Sequence, residues 1–186
     1  MLEKINKEIQ ECPYCPFIEY EFNKVRELGF GEKGKIMFIG LAPAISSNRS
    51  QGQSRFDFFF ENLLKQVGIK RSDYYFTNLC KTAQPRDIIL DEEQIEHCKG
   101  HLMQEILEVD PILIVFLGKV VREAFFVMWP EYLVRRRIDT RSKSKFFKCF
   151  ALAHPAMLHY RPELKEKYLK ALNKINEVYT GLLNKI

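Results

Sequence analysis

Four short apolar runs constrain this chain more than any other feature: residues 35–40, 74–79, 111–118 and 146–152. Each is apolar in succession rather than in alternation, the pattern of a strand covered on both faces. Stretches with helical spacing separate them. Residues 56–67 end at Gly68. A second stretch has Asp91 as its N-cap, Glu92 and Glu93 in its first turn, and runs to Val109. A third covers 120–127, and a last covers 163–183, where Leu164, Tyr168, Leu169, Leu172, Ile175 and Tyr179 share one face. Residues 2–10 and 17–28 also read as helical, and Gly29, Gly31 and Gly34 break the chain before the first strand. Alternating strands and helices predict the α/β class: a three-layer α/β/α domain over residues 1–186 with a four-stranded parallel sheet. Right-handed crossovers then gather every strand C-terminus on one edge, where ligands bind. The residues delivered there are Leu41-Ala42-Pro43, Asn78, Gly118 and His154.

With 186 residues, 46% of them hydrophobic and 28% charged, the chain can bury one sizeable core and has the balance of a globular protein. No apolar run is long enough to span a bilayer, and the first seven residues lack the apolar core of a signal peptide. The expectation is a monomeric, cytoplasmic protein with no membrane partner. The net charge of +5 is a weak pointer to a polyanion, but its distribution says more. Arg135, Arg136 and Arg137, then Arg141, Lys143, Lys145 and Lys148, form one dense basic segment just before the last strand ends. Such a segment is either a solvated loop or a set of phosphate contacts.

Five cysteines, Cys12, Cys15, Cys80, Cys98 and Cys149, are not expected to form a disulfide framework in an intracellular chain. Cys12-Pro13-Tyr14-Cys15 is a tight pair of the kind metal sites use. A redox pair is the competing reading, but such pairs follow a strand and this one precedes every clear strand. His97 and His101 flank Cys98 and leave a mixed zinc site open. Cys149, inside a strand, reads as core.

The sheet edge ends in His154-Pro155-Ala156-Met157-Leu158. The imidazole titrates near neutrality and the proline fixes φ of the turn that carries it. An apolar Met157-Leu158 pair follows, expected to be exposed with packing under the last helix as the alternative, and basic and aromatic residues lie beyond. A histidine beside an apolar wedge suits an enzyme that takes a base out of the DNA stack; a structural turn is the plain alternative.

Taken in order, these segments resemble the uracil-DNA glycosylase superfamily, in its iron–sulfur families four and five. Gly40-Leu41-Ala42-Pro43-Ala44, followed by Asn48-Arg49, resembles the first motif of family five. Thr77-Asn78 is similar to the Thr-Asn of both families. Glu96-His97-Cys98 with Leu102, before the Pro111 strand and Leu117-Gly118, matches a stretch that both share. His154 to Leu158, with Arg161-Pro162-Glu163-Leu164-Lys165, resembles the C-terminal motif of family four. The likeness runs from about Cys12 to Leu172.

The resemblance implies hydrolysis of the N-glycosidic bond of uracil, with other deaminated bases as an extension, in DNA by base flipping. It makes Asn78 the reader of the uracil edge and His154 the donor to the departing base. It places Leu41, Ala42 and Pro43 in the pocket and Phe56 as the ring that stacks on the base, with Phe58, Phe59 and Phe60 competing. Met157 and Leu158 become the wedge, and Arg161 with Arg135, Arg136 and Arg137 the phosphate contacts. Family four has a carboxylate where this chain has Leu41. Family five has leucine there and an aspartate further along, for which Asp57 is the nearest match; Asp57 also reads as a helix-start residue. The resemblance further implies a [4Fe–4S] cluster on Cys12, Cys15, Cys80 and Cys98, with zinc as the alternative; Cys80 stands two positions before the family's place, which Thr82 occupies. A catalytically altered nucleic-acid-binding module on the same fold and a metal-dependent nucleotide enzyme are the competing functions.

Overall fold

The computed structural model describes residues 1–14, 28–43, 55–83, 92–128 and 148–184; of residues 55–57 and 126–128 it describes the backbone alone. Five strands form one sheet: β1 (Phe30–Gly31), β2 (Ile36–Gly40), β3 (Tyr74–Asn78), β4 (Leu113–Leu117) and β5 (Lys148–Leu152), in the order β1-β3-β2-β4-β5. The helices are α1 (Leu2–Glu11), α2 (Arg55–Gln66), α3 (Glu92–Val109), α4 (Lys119–Met128) and α5 (Lys165–Leu183). The expected four parallel strands are β2 to β5. The expected count of four is one short, because β1 pairs antiparallel with β3, Phe30 beside Phe76 and Gly31 beside Tyr75. A two-residue strand ending in glycine leaves no periodicity in the sequence.

The continuous apolar character of β2, β3 and β4 has a direct cause. All their residues are buried, and alternate side chains feed two separate cores. Ile36, Phe38, Tyr74, Phe76, Leu113, Val115 and Leu117 join Phe60, Leu63 and Leu64 of α2 and Tyr168, Leu172, Ile175 and Tyr179 of α5. Met37, Ile39, Tyr75, Ile114 and Phe116 join Leu102, Ile106 and Val109 of α3 and Val121 and Phe125 of α4 on the other face. The α/β/α layering follows from this division, with α1 packed outside α3. At roughly 25 cal/mol per Å², each fully buried Leu, Ile or Phe contributes about 1.5–3 kcal/mol, so the two cores dominate the stability.

β5 departs from the buried strand expected at 146–152. Lys148 and Ala151 are exposed and its other residues half-buried, because it lies at the sheet edge with β4 on one side. The expected helix at 17–28 lies outside the described residues except for Leu28, which is not helical; the Asp91 cap and the basic residues from Arg135 to Lys145 lie outside them too. No helix among the described residues is long and apolar enough to cross a membrane.

Candidate functional site

The C-terminal edge of the sheet is knitted together beyond the strands themselves. Leu79 N–H donates to Gly40 O at 2.8 Å and Cys80 N–H to Leu41 O at 2.9 Å, so the β2–β3 ladder continues into the loops. Asn78, the last residue of β3, is buried at 5% exposure and stands in register with Gly40. Its side chain lies across the glycine: a Cβ on Gly40 would come within 2.3 Å of Asn78 Oδ1. Glycine at 40 is therefore a steric requirement of where the Asn78 amide sits. Beside it, Pro43 is buried, while Leu41 and Ala42 are half-buried against the α3-side core.

Behind Asn78 lies a charged network that the sequence reading missed. Lys81 is 3% exposed and Glu105, on α3, is 0% exposed. Lys81 Nζ donates to Asn78 O at 2.7 Å, to Thr77 Oγ1 at 2.7 Å, and to Glu105 Oε2 in a close ion pair. Thr77 Oγ1 donates in turn to the Glu105 carboxylate, 3.1 Å from Oε2, and Tyr75 OH donates to Oε1 at 3.4 Å. Burial, and then the neighbouring Glu105 charge and hydrogen bond, push the Tyr75 phenol far above its ordinary pKa, so it stays a donor. Glu105 shares the face of α3 that carries Leu102, Ile106 and Val109. A glutamate on an apolar stripe was the available signal.

His154 stands two residues past the end of β5 and is the N-cap of a short 3₁₀ helix, Pro155–His159. Ala156 N–H donates to His154 Nδ1 at 3.3 Å. An Nδ1 that accepts is unprotonated, so a neutral ring carries its proton on Nε2 and presents it as a donor. One side of the residue is open to solvent, yet the protein around the ring displaces enough water to hold its pKa below the usual histidine value. Gly118, at the end of β4, runs alongside with φ +115° and its N–H bonded to Leu152 O at 2.8 Å; a Cβ there would lie 3.7 Å from that of His154. That backbone conformation is one that side chains rarely adopt.

The turn after His154 is not the exposed Met-Leu pair expected. Leu158 is 5% exposed and joins the α2–α5 core, while Met157 is partly buried against it. The surface there belongs to Tyr160, 87% exposed, with Arg161 exposed beside it. His159 packs on Phe59 of α2, ring centroids 4.5 Å apart, and fixes the turn from below. Of the phenylalanines, Phe60 is core, Phe59 half-buried and Phe58 56% exposed. Phe56 and Asp57 fall in the first turn of α2, where their backbone alone is described. Arg135, Arg136 and Arg137 lie outside the described residues.

The described cysteines lie towards the α3 side. Cys80 is buried in the core that α3 covers, and Cys98 of α3 is half-buried against it. Cys12 caps the end of α1, and Tyr14 stacks on His97 with centroids 4.4 Å apart and planes within 6°. That contact ties the Cys12 segment to the turn of α3 that carries Cys98. Cys15 lies outside the described residues, and among those described no three His, Cys, Asp or Glu side chains form a metal-holding group. Cys149 is half-buried on the same face, and burial pushes its thiol up to about 12, as expected of a core cysteine.

Curated relatives of this chain carry the name type-4 uracil-DNA glycosylase. The Archaeoglobus fulgidus protein is 29% identical over 95% of this chain and 92% of its own. The Sulfurisphaera tokodaii protein is 27% identical over 95% and 84%, and the Pyrobaculum aerophilum protein 26% identical over 92% and 91%. A family model for the uracil DNA glycosylase superfamily matches residues 28–177, from β1 through most of α5, and the chain belongs to that superfamily.

Proposed function

We propose that the protein is a uracil-DNA glycosylase that flips uracil from DNA and hydrolyses its N-glycosidic bond. The observation that carries this reading is the pairing of a buried Asn78 amide with a neutral, donor-ready His154 on one sheet edge. Their strands are three places apart, roughly 14 Å at the usual strand spacing. A pyrimidine held between two side chains fills such a gap.

The Asn78 amide carries one acceptor and one NH₂ donor, matching N3–H and O4 of uracil. Cytosine presents the inverse pattern and leaves both groups of the buried amide unpaired, which is costly. As the bond to the sugar breaks, negative charge grows on uracil O2. The Nε2–H of neutral His154, aimed at O2, stabilises that charge without a proton changing hands. Leu41 cannot activate water. That duty falls to Asp57, in the first turn of α2, or to water alone, because departure of the base supplies most of the barrier. Leu41, Ala42 and Pro43 wall the pocket and Phe56 stacks on the base. Met157 and Leu158 act through the turn that fills the vacated stack, and Arg161 with Arg135, Arg136 and Arg137 hold phosphates.

The likeness of the cysteine motifs to the iron–sulfur families, with the Tyr14–His97 stack that brings the Cys12 segment to the turn of α3 carrying Cys98, supports a [4Fe–4S] cluster on Cys12, Cys15, Cys80 and Cys98. Bound there, it would staple the end of α1 to α3 and to the loop after β3; no chemical step runs through it. Iron with acid-labile sulfide in the purified protein is the expected analysis, and zinc without sulfide overturns it.

The function is tested on an oligonucleotide with one uracil. Free uracil and an alkali-labile abasic site are expected. Tight DNA binding without abasic product would instead support a catalytically altered DNA-binding protein, the reading that Leu41 favours. Activity on free nucleotides, lost with chelator, would point to a nucleotide enzyme.

A further inference from the structure

We propose that the buried Lys81–Glu105 pair is a positioning device that fixes the backbone of Asn78 and thereby the aim of its amide. The inference rests on the reading of Asn78 as the residue that recognises the base. An ammonium group has three N–H donors, and all three are committed: to Thr77 Oγ1, to Asn78 O and to Glu105 Oε2. Glu105 is held on both oxygens: Oε2 accepts from Lys81 and from the Thr77 hydroxyl, and Oε1 accepts from Tyr75 OH. A buried ion pair is weak evidence for stability, because hydrophobic residues of like volume often serve as well. Specificity of position is the better account here, and the geometry says what is positioned.

Asn78 is the last strand residue of the β2–β3 register, Gly40 beside Asn78, with backbone bonds running on into the loops. Its carbonyl takes a charge-assisted bond from Lys81, which is shorter and stronger than a neutral one. Thr77, one residue earlier, is gripped by the same two side chains. The Thr77 side chain and the Asn78 carbonyl are thus both tied to Glu105 of α3, the first directly and the second through Lys81. On the opposite face the amide rests on Gly40, with no room for a side chain beneath it. Strand end and lysine fix the backbone that carries the amide, and Gly40 leaves the space the amide occupies; a reader of base pairing edges needs such a fixed base. Lys81 and Glu105 are positioning residues: at 3% and 0% exposure neither reaches DNA.

The test uses the full-length protein with Lys81 and Glu105 both replaced, Lys81→Met with Glu105→Met, so that no lone charge is left buried. Thermal unfolding establishes that it folds. The single-turnover rate on uracil DNA should drop ~10–100-fold, the cost of a sub-ångström to ångström misplacement, with DNA affinity unchanged. In an Asn78→Ala background the same pair of replacements should change the rate by less than ~2-fold, because the residue they position is gone. A rate loss that adds in full to that of Asn78→Ala, or no loss at all, would overturn the proposal. An activity-independent arm separates its failure from failure of the glycosylase reading. In ¹⁵N spectra the Asn78 side-chain NH₂ should give one sharp pair in the parent protein and broadened or doubled signals in the double variant. Identical signals in both would sink the positioning role even in an active enzyme, while wild-type protein that makes no abasic product sinks only the function assigned to Asn78.

Discussion

The two strand ends to which we assign the chemistry are built in opposite ways. Asn78 ends β3, whose residues are all buried, and it is held from behind by Lys81 and Glu105 and from the side by Gly40. His154 follows β5, a half-exposed edge strand, and is held by its own turn through Pro155 and the Ala156 N–H. On the roles proposed for them, recognition is anchored in the core, where displacement is costly. The stabilisation we assign to His154 is anchored locally, on a turn that shares its surface with Tyr160 and Arg161. A side chain that must discriminate needs a fixed frame, whereas one that meets a flipped base from solvent needs access.

The sharpest way to break the contrast is to unbalance the core end. Lys81→Met alone leaves Glu105 buried without its partner and should cost about 3–5 kcal/mol in urea unfolding, whereas the paired replacement recovers most of that loss. At the exposed end, His154→Ala should cut the single-turnover rate by roughly 10²–10³-fold, as for loss of one preorganised donor, with little change in unfolding free energy. Leu158→Ala tests the turn beneath it: a buried leucine on a short turn should cost about 2–3 kcal/mol, while Met157→Ala costs less stability and weakens DNA binding instead.

The pH dependence should differ in the same sense. The folded pKa of His154 lies below its unfolded value of about 6.5, so the unfolded chain binds the extra proton first. Stability therefore falls as pH drops below about 6.5, until the folded-state pKa is passed. Activity that needs the neutral ring should persist through that window and fall only below it, and His154→Gln should flatten both profiles. The smallest effect is expected at the rim, where Arg161→Ala should reduce the salt dependence of DNA binding by about one unit of slope.

The sequence discloses these two ends unequally. Four parallel strands are legible because continuous apolar runs have one main explanation, burial on both faces. The sheet edge is legible too, since right-handed crossovers leave only one place for Pro43, Asn78, Gly118 and His154. β1 is invisible because two residues carry no period. Lys81 and Glu105 are hidden for another reason: lysine and glutamate are the residues most often found in water, and only the apolar spacing of Leu102, Ile106 and Val109 around Glu105 marks the exception. The burial of Leu158 follows from contacts with α2 and α5 that lie far from it in sequence, so its own neighbours in the chain do not predict it.

The central claim is a division of labour, with Asn78 selecting the base and His154 stabilising its departure. The most direct measurement compares single-turnover excision of uracil and of 5-fluorouracil by the wild type, His154→Ala and Asn78→Ala. Fluorine withdraws electrons and makes the departing base a better leaving group, so it supplies what His154 otherwise contributes. The account predicts that the His154→Ala defect shrinks on 5-fluorouracil while the Asn78→Ala defect stays the same. An equal His154→Ala defect on both bases would contradict it.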